Sequence, residues 1–254
     1  MNPKRTMDRI WIAALALTMS VAVQAQTAAA AKDNTEKKPE PAAKNGGSQS
    51  NSLDQVLHSM DENAAKFRSA QADFTWTPYN AVIGDNEPPD KGRIYFRREG
   101  NEIQMAAMIQ PPDDRQIIFT GGKVQVFQPK TKVLDVYDTS AHKDEAETFL
   151  VLGFGSSGQD LRKSFDVKYI GDEKIGNVQT AELELTPLSD KIKKTFPQID
   201  LWIDLQRGVS LRQKLLQTGG DYRLADYSNI RLNEKVPDSA FKIKSSGPTK
   251  TVSH

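Results

Sequence analysis

The chain has no cysteine. That excludes disulfide staples, thiol nucleophiles, lipobox acylation and cysteine-based zinc sites, so a folded domain must be held by its apolar core. Histidine is nearly as scarce: only His58, His142 and His254 occur. His58 lies off the apolar stripe of its segment, and His254 ends what reads as a frayed tail. His142 with Glu145 and Glu147 imitates a metal-binding set, but that spacing is the ordinary acidic start of a solvated helix, and no metal site is expected. No G-x-S-x-G elbow occurs either. The 34 basic and 33 acidic residues nearly cancel, which leaves no field to attract nucleic acid. With no catalytic constellation in view, a binding protein rather than an enzyme is expected.

One long apolar run is present, Ile10 to Val23, without a charge in it. Lys4, Arg5 and Arg9 precede it and Val23-Gln24-Ala25 closes it, the layout of a secretory signal cleaved after Ala25. The mature protein is expected outside the cytoplasm. Residues 26–51 contain no large apolar side chain and read as a disordered tether, because such a segment buries too little surface to offset its ordering entropy. Residues 52–246 suit one domain, and 247–254 read as a disordered tail.

The domain opens with a helix. Ser52 and Gln55 form a capping-box pattern, and Leu53, Val56, Leu57, Met60, Ala64 and Phe67 recur at helical spacing. After Arg68 the period becomes two. Ala72, Phe74 and Trp76 alternate with polar residues, as do Ile94 and Phe96, then Ile103, Met105 and Ala107. Gly121-Gly122 joins two strand-like runs as a hairpin. Further runs follow at 133–138, 165–170, 178–186, 199–203, 209–218 and 222–232. About eleven strands joined by short turns predict an antiparallel meander. The alternation stops between Val136 and Phe165, where 142–152 looks helical, and this inserted segment and helix 53–68 are the available covers for the apolar face. Gly153-Phe154-Gly155-Ser156-Ser157-Gly158 matches G-x-G-x-x-G, with Asp172 near the offset of a ribose-binding acid. The match lacks its strand–turn–helix context, so the glycines read as a hinge and no cofactor is expected.

The order of features resembles the LolA family of periplasmic lipoprotein carriers. The resemblance rests on the amphipathic helix leading into Ala72-Asp73-Phe74, on Gly92-Arg93-Ile94-Tyr95-Phe96-Arg97-Arg98, and on the hairpin 116–129 that ends in Phe127-Gln128-Pro129. Leu183-Glu184-Leu185-Thr186-Pro187 and Phe241-Lys242-Ile243 extend it. It implies a mainly β fold with covering helices, an incomplete, half-open antiparallel barrel of about eleven strands, and an apolar cavity for lipoprotein acyl chains. It also implies an inner-membrane release complex, an outer-membrane acceptor and no cofactor or nucleotide. A monomer is expected. On this reading Phe74, Trp76, Ile94, Phe96, Met105, Phe119, Leu150 and Phe154 line the cavity. Arg98 shares the face of Ile94 and Phe96, so its five donors need acceptors there. It is expected to latch the cover through carbonyls exposed at its glycine-rich end. The alternative is an envelope sensor or scaffold that uses the same half-barrel to hold a lipidated signal or a protein partner.

Overall fold

Ser52 begins the first element as its spacing predicts. Its hydroxyl accepts from the Gln55 N–H at 3.3 Å, and Gln55 Oε1 accepts from the Ser52 N–H at 2.8 Å. Helix α1, Leu53–Lys66, follows and buries Val56, Leu57 and Met60. The computed structural model describes residues 52–100 and 102–254, with the side chains of 142–146 outside that description. The expected signal sequence, the cleavage after Ala25, the tether and the pairing of His142 with Glu145 therefore lie outside the described residues. No described helix is long and apolar enough to cross a membrane.

The period-two segments form β1 (Ser69–Asn80), β2 (Asp85–Asn86), β3 (Asp90–Glu99), β4 (Glu102–Ile109), β5 (Arg115–Thr120), β6 (Lys123–Gln128) and β7 (Val133–Asp138). Helices α2 (Lys143–Leu150) and α3 (Gly158–Ser164) interrupt the sheet, which resumes as β8 (Phe165–Ile175) and β9 (Val178–Pro187). The short helix α4 (Asp190–Lys193) leads to β10 (Gln198–Asp204), β11 (Val209–Leu216), β12 (Tyr222–Leu232) and β13 (Lys250–Ser253). All form one 13-stranded sheet in the order β13-β7-β6-β5-β4-β3-β1-β12-β11-β10-β9-β8, with β2 paired to β1. The two end strands do not meet, so the sheet is a half-open barrel. Eleven strands are the expected meander. The long-range pairing of β1 with β12 joins its two halves.

One expectation is corrected. Residues 247–254 contain β13, which pairs parallel with β7 from Lys250–Val133 to Ser253–Val136. His254 stacks on Tyr137 with ring centroids 4.4 Å apart, and its Nε2 lies 3.0 Å from Asp135 Oδ1. The unpaired backbone edge of β7 supplies the partner that the polar tail sequence does not announce.

The concave side carries two apolar layers. One joins α1 and α3 to β8, β9 and β10 through Val56, Leu57, Met60, Leu161, Leu183 and Leu201. The other spans β1 and β3–β6 and includes Phe74, Trp76, Phe96 and Phe119.

Candidate functional site

All eight residues expected to line a cavity fall in the second layer. Seven are buried there, and the partly buried Leu150 packs against them. Strand register explains the grouping: Phe96 pairs with Met105, Met105 with Phe119, and Phe119 with Val124, giving a continuous row across β3–β6. Phe74 and Trp76 stack with centroids 3.9 Å apart. Phe154 comes from the cover, not the sheet. It stacks on Phe96 at 4.8 Å and meets Tyr227 edge-on at 4.9 Å. Its exposure is 0%, so the interior is filled by a side chain of the cover. An open groove of about 740 Å³ lies elsewhere among the described residues, beside Leu53, Arg162, Phe165 and Leu188, and none of the eight residues lines it.

The seating of the cover follows from a gap in the sheet. Strand β12 pairs with β11 only from Arg212 to Leu216, which leaves Val209 without a β12 partner. The cover takes that edge. Phe154 forms a β-bridge with Val209, and the Ser210 N–H donates to Gly153 O at 2.8 Å. Gly153 and Gly155 have φ of +78° and +80°, a conformation costly for any other residue. A Cβ at Gly153 would also stand 2.5 Å from Ser210 Cβ. Beyond Ser157 the chain is tied down. The Gln159 N–H donates to Asp61 at 3.2 Å, and Arg162 pairs with Asp54.

Arg98 lies at the rim, exposed, with Nη2 3.5 Å from Gly155 O. That length is at the outer limit of a hydrogen bond. A shorter and buried tie comes from Gln213, which the sequence reading did not single out. Its Nε2 donates to Leu152 O at 2.6 Å, and its Oε1 accepts from Tyr227 OH at 3.3 Å. Gln213 pairs across strands with Leu201 and Ala225, so a polar residue in an apolar row was the available signal. Burial pushes the Tyr227 phenol up to about 12, so it stays a neutral donor to Gln213 at physiological pH.

The family model described as "Outer membrane lipoprotein carrier protein LolA" matches residues 65–244. Comparison with curated proteins finds no match. Among solved structures, an uncharacterized conserved protein from Thermus thermophilus aligns at a TM-score of 0.51 and 11% identity, covering 79% of this chain and 98% of that one. The Pseudomonas aeruginosa MucA/MucB complex gives 0.45 and 13%, covering 76% and 61%. The chain therefore spans less than two thirds of that relative's length. The Mycobacterium tuberculosis lipoprotein LppX gives 0.39 and 13%, covering 72% and 97%.

Proposed function

We propose that this chain, which belongs to the LolA family of outer membrane lipoprotein carrier proteins, is a periplasmic carrier that shelters acyl chains of lipoproteins or related lipids and delivers them to the outer membrane. An inner-membrane release complex and an outer-membrane acceptor are the partners this reading requires. The observation that supports it most is the seat of Phe154: an apolar trough across β1 and β3–β6, filled by a ring on a segment outside the sheet. Swinging that segment away exposes a continuous apolar surface, and an acyl chain replaces one buried hydrocarbon with another. The test is displacement of an apolar fluorescent probe by acyl compounds of increasing length. Each added methylene contributes about 0.8 kcal/mol, so affinity is expected to rise about fourfold per carbon. Binding that ignores chain length would reject an interior site.

A second reading has one observation in its favour. The cover is so well buried that it can serve as fixed structure in an envelope sensor or scaffold whose interior never opens. The same titration separates the two, since a fixed cover admits no probe.

Two residues are proposed to hold the cover closed, to unequal degrees. Gln213→Leu orphans the buried Leu152 carbonyl, costing about 1–3 kcal/mol, and removes the acceptor of the Tyr227 hydroxyl proton. Hydrogen exchange across 151–156 is expected to quicken about ten- to a hundredfold or more. Arg98→Leu removes one long, partly buried contact and is expected to quicken it only a few-fold, with cargo held more tightly and handed on more slowly. A larger effect from Arg98 than from Gln213 would place the main latch at the rim.

A further inference from the structure

The trough is apolar along its length but not at its end. Asp90, Gly92, Ile94 and Phe96 alternate onto the inner face of β3, as do Arg115, Ile117 and Phe119 on β5 and Arg223, Ala225 and Tyr227 on β12. Register brings the first residue of each set together. Asp90 is opposite Trp76, Arg115 opposite Ile109, and Arg223 opposite Pro78, all at one end of the sheet. Arg115 pairs with Asp90. The Arg223 guanidinium lies 5.6 Å from the Trp76 ring, and the residue is only 7% exposed. Burial brings its pKa down to about 9, with Asp90 opposing that shift and Arg115 adding to it, so the group stays charged at neutral pH. The Arg115 Nε–H is buried and meets no acceptor among the described residues. Two guanidiniums and one carboxylate leave these three side chains with a net positive charge beside an aromatic wall.

A buried guanidinium is costly in a site meant for hydrocarbon alone. Its planar fork matches carboxylate and phosphate oxygens. The Arg115 and Asp90 side chains keep 15% and 22% of their surface exposed, so this end opens to solvent while Trp76 and Phe74 behind it are buried. From Asp90 to Arg98 the strand runs eight residues, about 26 Å, comparable with a long acyl chain.

We propose that this end of the trough is an anion-binding site in which Arg223 and Arg115 hold the carboxylate or phosphate of an acyl lipid whose chain lies along Trp76 and Phe74. The cargo class is then an anionic amphiphile rather than an uncharged acyl group. This assignment rests on the carrier reading above.

The test is calorimetry on the folded full domain at pH 7.5 with oleate, oleyl alcohol, oleoyl lysophosphatidate and inorganic phosphate. Oleate and lysophosphatidate are expected to bind about ten- to a hundredfold tighter than oleyl alcohol, the range of one charge-assisted hydrogen-bond set. The tighter of the two identifies the headgroup. Arg223→Gln is expected to remove that advantage, while Arg223→Lys keeps part of it. Equal affinity for oleate and oleyl alcohol in the wild type overturns the anion site and spares the carrier reading, and this comparison needs no variant to fold. Phosphate alone binding as tightly as lysophosphatidate overturns the lipid assignment. Binding of none of the acyl compounds overturns both readings.

Discussion

Phe154→Ala is expected to speed amide exchange across 151–156 by more than about a hundredfold and to raise the affinity of the interior for an apolar probe. Truncating a fully buried phenylalanine costs about 3–5 kcal/mol, and every 1.4 kcal/mol is a factor of ten. The cost falls on the cover because Phe154 belongs to it, and the sheet positions that receive the ring, Phe96 and Tyr227, are held by their own strands. Opening leaves α3 in place, since Gln159 and Arg162 remain tied to α1. Apparent affinity scales with the fraction of molecules whose trough is open. A shift of that equilibrium therefore appears directly as tighter probe binding until the open state dominates. A fixed-cover scaffold gives a different result: the same truncation lowers the melting temperature of the whole domain and admits no probe. Exchange that quickens at 151–156 alone, together with probe binding, supports a movable cover, whereas exchange that quickens equally across β3–β6 does not.

The parts of this architecture set by local chemistry were legible in the sequence. The capping box at Ser52 needs only residues three apart, and both of its hydrogen bonds form. The hairpin at Gly121-Gly122 needs two residues at positive φ, which both glycines adopt. The apolar trough follows from period-two alternation, because burial of one face forces every second side chain inward. Alternation also set the face of Arg98 but not its depth. It is the ninth residue of a ten-residue strand, just before the turn at Gly100, so its side chain emerges at the rim. What escaped depends on partners distant in sequence. Strand β13 carries no pattern of its own and exists because β7 has a free edge. Gln213 lies 61 residues from the carbonyl it binds, and its importance comes from where β12 parts from β11. Arg223 sits in a polar-rich strand run, and only register sets it near Asp90, Arg115 and Trp76.

Gly92→Ala is expected to destabilise the domain by about 3 kcal/mol, the upper end of overpacking in a well-filled interior. For a domain of this size that lowers the melting temperature by about 6–12 °C. The residue does not have positive φ, so backbone conformation is not the issue. The space is. A Cβ here would stand 2.1 Å from Met108 O and 2.7 Å from Phe74 Cζ. The first is backbone of the neighbouring strand and cannot turn aside. The second is the ring that lies across β3 and stacks on Trp76 at 3.9 Å, so the aromatic floor of the trough exists because position 92 has no side chain. Gly171→Ala is the control. It too is a strand glycine, with no neighbour within 4 Å of its would-be Cβ. Its melting temperature is expected to hold or rise slightly, since alanine restricts the unfolded chain. Thermal melts of both variants check the stability difference. Probe titration well below the melt then isolates the functional part: a folded Gly92→Ala protein with its Phe74 ring displaced is expected to bind the probe more weakly. Unchanged affinity in that variant would mean that Phe74 and Trp76 are core, and that cargo lies nearer Phe96 and Phe119.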